Sequence, residues 1–148
     1  MTSLPAAVAI TAVTAAAVTG AVAMSARRVL LVVEIYGRSM EPALRAGDRV
    51  LVRRRDPARI RPGDVVVLAG VGPGAGLESS GKILIVKRAV AVAGDPVPPG
   101  FESFSEARVP PGRLLVLGDN PAESTDSRQW GFLPLDRVRG VVLRRMAL

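Results

Sequence analysis

Ser39 and Lys87 are the two residues that could carry out catalysis in this chain of 148 residues. The sequence contains neither histidine nor cysteine, so it can form neither a Ser-His-Asp triad nor a cysteine protease site. A serine nucleophile would therefore need a different base. Arginine stays protonated and cannot serve, and of the 20 basic residues only Lys82 and Lys87 are lysines.

Lys87 follows the apolar run at residues 83–86, and this setting could keep its amine neutral. Burial in a low dielectric disfavours the charged form and lowers the pKa of a lysine. Alternation along a strand puts Lys87 on the face of Ile83 and Ile85, which desolvates it if that face is the core face. Alternatively, the side chain extends from a strand end and keeps its ammonium in water. Lys82 is the weaker candidate, because it follows a glycine-rich segment.

Ser39 comes just after Gly37, where the chain leaves an apolar strand. Such a bend can expose a hydroxyl together with a backbone N–H, and that N–H could stabilise an oxyanion. Pro42 fixes the loop and removes a donor. Met40 could lean into a pocket or a membrane surface, or it could be an ordinary core methionine.

The elements that must position these residues are predicted to be short strands, so the fold class is mainly β. No segment beyond residue 28 shows a sustained helical period. Gly-Asp and Pro-Gly pairs mark the turns, and segments 70–81 and 121–128 are predicted to be loops. The apolar, β-branched runs predict strands at residues 29–36, 49–52, 65–68, 82–92, 113–117 and 138–143.

Residues 1–28 are predicted to form an N-terminal transmembrane anchor, and residues 29–148 a single compact domain. Residues 4–24 are almost uninterruptedly apolar, and a membrane-spanning helix needs about 20 such residues. Alanine and threonine dominate, so the segment is weakly apolar. The alternatives are a cleaved signal peptide, although no Lys or Arg precedes the run, and a buried soluble helix.

The formal net charge of +7 indicates an anionic neighbour. Beside a membrane anchor, this neighbour is most simply the lipid headgroup layer. Nucleic acid is the competing partner, but aromatic residues make up only 3% of the chain, so stacking platforms for single strands are nearly absent. We therefore expect membrane lipid and no nucleic acid, and the sequence predicts no cofactor and no metal.

The chain contains three motifs in order. They are Ser39-Met40-Glu41-Pro42 with Leu44 and Gly47-Asp48; Lys87-Arg88 with Gly94-Asp95; and Gly118-Asp119-Asn120 with Ser124, Asp126, Ser127, Arg128 and Gly131. Together these motifs resemble those of the bacterial type I signal peptidases, a family that uses a Ser–Lys dyad. The region that carries the resemblance runs from residue 33 to about residue 141.

The resemblance implies a role for each matched position and makes residues 29–148 a Ser–Lys peptidase catalytic domain of signal-peptidase-like β fold. Ser39 would be the acylating nucleophile and Lys87 the general base. Ser124 matches the serine that orients the lysine, while Asp126 and Arg128 match a structural ion pair near the site.

Two further positions of the first motif, Met40 and Pro42, would support the nucleophile, whose own N–H would supply one oxyanion donor. Some family members add a second donor from a hydroxyl two residues earlier, where this chain has Gly37. The family usually has threonine after the proline, where this chain has Ala43. That difference could loosen the loop.

The implied substrate is an exported precursor with small residues at positions one and three before the cut. Residues 34–36 and 83–86 would line its groove, and strand addition suits such a site. The resemblance implies a single-pass protein of the cell membrane with its catalytic domain outside the cytoplasm. Arg27 and Arg28 conflict with that orientation under the positive-inside rule.

Several alternatives to a general signal peptidase stay open. Only residues 96–117 separate the second motif from the third, so the chain would be a minimal member, and small members include dedicated maturation proteases for a single precursor. A self-cleaving regulator could use a Ser–Lys dyad on a related β fold, but the sequence has no helix-turn-helix region. A non-enzymatic alternative is a membrane-tethered basic β domain that binds anionic lipid or nucleic acid.

Overall fold

The computed structural model describes residues 29–70, 84–101 and 104–146, and these form one curled antiparallel sheet. The spatial order of its strands is β1-β2-β7-β3-β4-β5-β6. The prediction of a mainly β domain is confirmed. The strands are β1 (Leu30–Glu34), β2 (Arg49–Arg53), β3 (Val65–Ala69), β4 (Leu84–Val92), β5 (Arg113–Leu117), β6 (Leu133–Pro134) and β7 (Val138–Met146).

Beyond Val29, which is helical, helical structure in the described ranges is limited to short pieces. They are α1 (Ser127–Trp130) and 3₁₀ turns at Pro57–Arg59, Pro121–Glu123 and Leu135–Arg137. The predicted transmembrane anchor at residues 1–28 lies outside the described residues. Among those described, no helix has the length and apolar character needed to cross a bilayer.

Two elements depart from the sequence prediction because they are too short to show a period. β6 has two residues, and α1 is a single turn that a capping box from Asp126 to Gln129 stabilises. The prediction of a plain loop at residues 121–128 is therefore wrong, since a 3₁₀ turn and the start of α1 lie there. β7 continues to Met146, beyond the predicted end at residue 143, because it pairs with β2.

The core lies on both faces of the sheet, and β3 at its centre contributes to each side. Val66 and Leu68 are fully buried in one hydrophobic cluster, while Val67 is fully buried in another. Burying a side chain of this size stabilises a fold by about 1.5–3 kcal/mol. Because β3 is buried on both faces, it gives its neighbour β4 a rigid support.

Besides the outer edge of β6 at the far end of the sheet, two strand edges carry no pairing partner among the described residues. β1 pairs only with β2 and forms one end of the sheet. β4 pairs with β3 from Leu84 onward, but its pairing with β5 begins only at Arg88. The first half of β4 therefore has a free edge, as β1 does.

Candidate active site

A cleft of about 320 Å³ lies between the turn that follows β1 and the first half of β4. Ser39 and Lys87, predicted from sequence to act together, both line it. Residues 34–36 and 84–86 line it as well, in agreement with the expected groove, whereas Ile83 lies outside the described residues. The remaining lining residues are Val33, Gly37, Arg38, Met40, Glu123, Thr125 and Trp130.

Lys87 is buried, with only 4% of its surface exposed. It pairs with Val66 across the sheet and lies between Ile85 and Ala89 on the same face of β4, which packs against the core. Burial lowers the pKa of the Lys87 amine, the Asp126 carboxylate opposes this effect, and the Arg128 charge lowers the pKa further. The alternative of an ammonium that extends into water is therefore wrong.

A chain of two hydrogen bonds fixes the amine. Lys87 Nζ donates to Ser124 Oγ at 3.0 Å, and the Ser124 hydroxyl donates in turn to Asp126 Oδ2 at 2.7 Å. Because the Ser124 hydroxyl donates its proton to Asp126, its oxygen is free to accept a hydrogen bond from the Lys87 amine. A neutral amine oriented in this way retains a lone pair that can accept a proton from elsewhere in the cleft.

Asp126 anchors this chain from a fully buried position. It forms a bidentate pair with Arg128, in which Nε and Nη2 each lie 2.9 Å from a carboxylate oxygen, and it accepts the Gly118 N–H at 2.9 Å. Burial raises the pKa of Asp126, but the hydrogen bonds from Arg128, Gly118 and Ser124 outweigh it and lower the pKa to about 2. Asp126 is thus ionised at neutral pH, and the structure places it, Ser124 and Arg128 directly behind Lys87.

The turn that carries Ser39 is held from inside by Met40. Met40 is 2% exposed and packs in the core with Val33, so it belongs to the core rather than to a membrane surface, although it also lines the cleft. The Leu44 N–H donates to the Met40 carbonyl at 2.8 Å, and the peptide bond before Pro42 is cis. These contacts define the backbone on which the Ser39 side chain sits.

The hydroxyl of Ser39 makes no hydrogen bond to Lys87 in the described part of the chain, although both residues face the same cleft. Hydrogen bonds between a nucleophile and its base are often long in the absence of substrate and tighten when substrate binds. The arrangement therefore places a serine hydroxyl and a buried amine in one cavity, with the amine held by Ser124.

Gly118 leaves space for both halves of the site. A Cβ at this position would lie 2.2 Å from Ser124 Oγ and 2.6 Å from the Ser39 carbonyl oxygen. Both distances are far below van der Waals contact. A residue without a side chain is therefore required where the segment after β5 passes between Ser39 and Ser124.

Sequence reasoning assigned no role to Asn120, Arg38 or Trp130, all of which lie at the site. Asn120 donates to the carbonyls of Arg38 and Ser39, and Trp130 lines the cleft from α1. The position of Asn120 within the Gly118-Asp119-Asn120 motif was the signal that could have identified it. Among the described residues, no group of acidic side chains could hold a metal ion.

Comparison with known proteins identifies the family. The model described as "Signal peptidase, peptidase S26" matches residues 6–98 and 98–147. A protein of Synechocystis sp. named "Probable signal peptidase I-2" is 32% identical over 133 residues, which cover 72% of this chain and 58% of that protein. The mouse "Mitochondrial inner membrane protease subunit 1" is 34% identical over 114 residues, covering 74% of this chain and 64% of the mouse protein.

A third relative, the "Signal peptidase I" of Bacillus caldolyticus, is 46% identical over 41 residues, or 28% of this chain and 22% of that protein. The chain spans roughly three fifths of the length of the first curated relatives it matches. The family model covers nearly the whole chain, including the cleft and the segments that build it. The chain therefore belongs to the type I signal peptidases of the peptidase S26 family.

Proposed function

We propose that this chain is a membrane-anchored serine endopeptidase that removes N-terminal signal or leader peptides from exported precursors. Ser39 is the nucleophile and the neutral amine of Lys87 is the general base. The observation that carries the proposal is the buried Lys87 amine, hydrogen-bonded to Ser124 at 3.0 Å in the cleft that Ser39 also lines.

In the first step, Ser39 Oγ attacks the carbonyl carbon of the scissile peptide bond, and its proton passes to Lys87 Nζ. The Ser39 N–H stabilises the negative charge that develops on the carbonyl oxygen. The Lys87 ammonium then returns the proton to the leaving amine, and the C–N bond breaks. The upstream peptide remains attached to Ser39 as an ester.

In the second step, water attacks that ester and gives a proton to Lys87, which returns it to Ser39 Oγ as the C–O bond breaks. Ser124 and Asp126 act on both steps by holding the amine. The Asp126 carboxylate also stabilises the lysine ammonium while that cation exists, since the two groups share the Ser124 hydroxyl.

The substrate is an extended peptide that pairs with the free edges of β1 and β4. A peptide between two open strand edges gains main-chain hydrogen bonds, while alternate side chains point into pockets. The apolar lining by Val33, Ile35 and Val86 suits uncharged side chains, and the resemblance to signal peptidases implies that those at positions one and three before the cut are small. Precursor proteins with small residues before the cleavage site are thus the proposed partners.

We assign residues 1–28 to a single membrane anchor and residues 29–148 to the catalytic domain, which lies outside the cytoplasm and next to membrane lipid. Val29 and Val32, at and just after the start of the described chain, are among its most exposed large apolar residues. An apolar surface next to the anchor is consistent with contact between this end of the domain and a bilayer.

The test is cleavage of a precursor with an Ala-x-Ala site by the full chain purified in detergent, compared with Ser39→Ala and Lys87→Arg. Lys87→Arg keeps a positive charge but cannot act as a base. Both variants should be inactive, whereas Lys82→Arg, the same change at the other lysine, should cleave. Cleavage after the second alanine by the unmodified chain and by Lys82→Arg, with none by Ser39→Ala or Lys87→Arg, supports the proposal, and cleavage by Ser39→Ala contradicts it.

A dedicated maturation protease is the second candidate. A panel of precursors encoded near the gene, assayed beside the general Ala-x-Ala precursor, separates the two. The non-enzymatic alternative, a basic β domain that binds anionic lipid or nucleic acid, predicts salt-sensitive binding that survives Ser39→Ala as its sole activity.

A further inference from the structure

We propose that Asn120 is a positioning residue that holds the peptide groups on both sides of Ser39, so that the Ser39 N–H is directed at the oxyanion. This inference rests on the proposed function. It assigns a role to a residue that touches neither the base nor the substrate carbonyl and that acts through the nucleophile's backbone.

Asn120 makes two hydrogen bonds to the nucleophile turn. Its backbone N–H donates to the Ser39 carbonyl at 3.0 Å, and its side-chain Nδ2 donates to the Arg38 carbonyl at 3.2 Å. The Arg38 carbonyl belongs to the same planar peptide group as the Ser39 N–H, and in a trans peptide the two point in opposite directions. Holding that carbonyl therefore sets the direction of the N–H.

The Ser39 N–H itself is available, since it donates to no acceptor in the ranges that the structure describes. A peptide group whose carbonyl already accepts a hydrogen bond is also polarised, which strengthens its N–H as a donor. Asn120 thus prepares the donor in both direction and strength, and no rearrangement is needed when charge develops on the substrate.

Asn120 is well fixed for this task by the two residues before it. Asp119 forms a bidentate pair with Arg88, at 2.8 Å from Nε and 2.6 Å from Nη2, and Gly118 donates its N–H to Asp126. Arg88 directly follows Lys87 on β4. The segment that directs the oxyanion donor is therefore attached to the strand that carries the base, which couples the two halves of the site.

The side chain of Arg38 offers a matched control, because it does not take part in this contact. It lies in solvent beside Glu41 at 3.2 Å and Glu123 at 3.7 Å, while only its backbone carbonyl meets Asn120. Arg38→Ala removes the ion pairs and keeps the carbonyl. It therefore reports the effect of disturbing the turn without touching the proposed interaction.

The experiment measures kcat, KM and the affinity for a peptide boronate with the same Ala-x-Ala sequence, in the full chain, Asn120→Asp, Asn120→Ala and Arg38→Ala. Ser39 Oγ bonds to boron and passes its proton to Lys87, and one hydroxyl of the resulting anionic, tetrahedral boronate occupies the oxyanion position. Asn120→Asp replaces the donor by an acceptor of the same shape. Asn120→Ala is the second variant, and thermal unfolding checks that each one folds.

We expect both Asn120 variants to lower kcat by about 10- to 100-fold, somewhat less than the loss of an oxyanion donor itself. The KM of the Asn120 variants should change little, and their boronate affinity should fall in proportion to kcat. Arg38→Ala should lower kcat less than either Asn120 variant does. An unchanged kcat, or a rise in KM alone, overturns the role of Asn120 while leaving the proposed function intact. If the unmodified chain neither cleaves nor binds the boronate, the proposed function itself is wrong.

Discussion

Lys87 Nζ lies 3.0 Å from Ser124 Oγ, and this single contact connects a buried amine on β4 to a buried carboxylate at the start of α1. The serine holds the amine without itself carrying a charge. The carboxylate of Asp126 is thereby near enough to support a transient ammonium, but not in direct contact with it. Burial lowers the pKa of Lys87, whereas the Asp126 carboxylate favours the protonated form, and the Ser124 hydroxyl connects the two groups.

The activity of the protein should rise with pH. Burial lowers the pKa of Lys87 from its ordinary value of 10.5, and only the neutral amine, which predominates above the lowered pKa, can accept the Ser39 proton. A profile of kcat/KM against pH should therefore rise to a plateau with a midpoint below 10.5. Arg128→Gln should move that midpoint upward, because the Arg128 charge helps to lower the pKa. A flat profile over the neutral to alkaline range would contradict the role of a neutral lysine.

Replacing Lys87 by methionine should stabilise the fold while abolishing cleavage. At neutral pH the unfolded chain binds a proton at Lys87 more readily than the folded chain, so the lysine lowers the free energy of unfolding. Lys87→Met should raise it by about 1 kcal/mol in urea unfolding at pH 7. The gain should shrink as the pH rises toward 10.5, where the unfolded lysine also loses its proton. A variant less stable than the parent at pH 7 would show that burying the Lys87 amine does not lower the free energy of unfolding.

Gly118→Ala should impair stability and catalysis together. The new methyl group would lie 2.2 Å from Ser124 Oγ and 2.6 Å from the Ser39 carbonyl oxygen, so it must displace one of them. Overpacking of this kind costs about 1–3 kcal/mol, measurable by chemical denaturation. Adding Ser124→Gly should recover part of the lost stability and none of the activity. Equal destabilisation in the single and double variants would place the clash elsewhere.

Asp126→Asn should destabilise the fold by about 2 kcal/mol at pH 7, since it leaves the Arg128 guanidinium without its buried partner. Arg128 is partly exposed, which keeps this loss below that of a fully buried pair. The pKa of Asp126 is lowered from 3.8 to about 2, so its contribution is present above pH 3.8 and is lost as the pH falls toward 2. Urea unfolding from pH 5 to pH 2 should therefore show a steeper loss in the parent than in Asp126→Asn.

Asp136→Asn is the matched control for that experiment, because Asp136 is exposed and lies in a 3₁₀ turn away from the cleft. It should keep the pH dependence of the parent. An identical acid transition in Asp126→Asn and in the parent would mean that another carboxylate governs acid unfolding.

The positions of Ser39 and Lys87 could be predicted because their chemistry is local. The lack of histidine restricted the base to a lysine, and the apolar run before Lys87 predicted a buried strand, which the structure contains as β4. The alternation that places Lys87 with Ile85 depends only on strand geometry. The structure contains these features because each one depends only on residues that are neighbours in the sequence.

The contacts of Asn120 and Gly118 could not be predicted from the same reasoning. Both depend on bringing the end of β5 against the turn at Ser39, some 80 residues earlier in the chain. Similarly, α1 is stabilised by the capping box around Asp126 rather than by a repeating apolar face, so no helical period marks it. Structure created by distant contacts or by single turns leaves little trace in periodicity.

The free edge of β1 has a consequence for the protein in solution as well as for substrate binding. An unpaired strand edge is a template on which another copy of the same chain can add a strand. The net charge of +7 keeps copies apart by mutual repulsion, and salt weakens that repulsion. The purified protein should therefore remain dispersed at low ionic strength and self-associate as salt is added, and a peptide that occupies the cleft should delay this association.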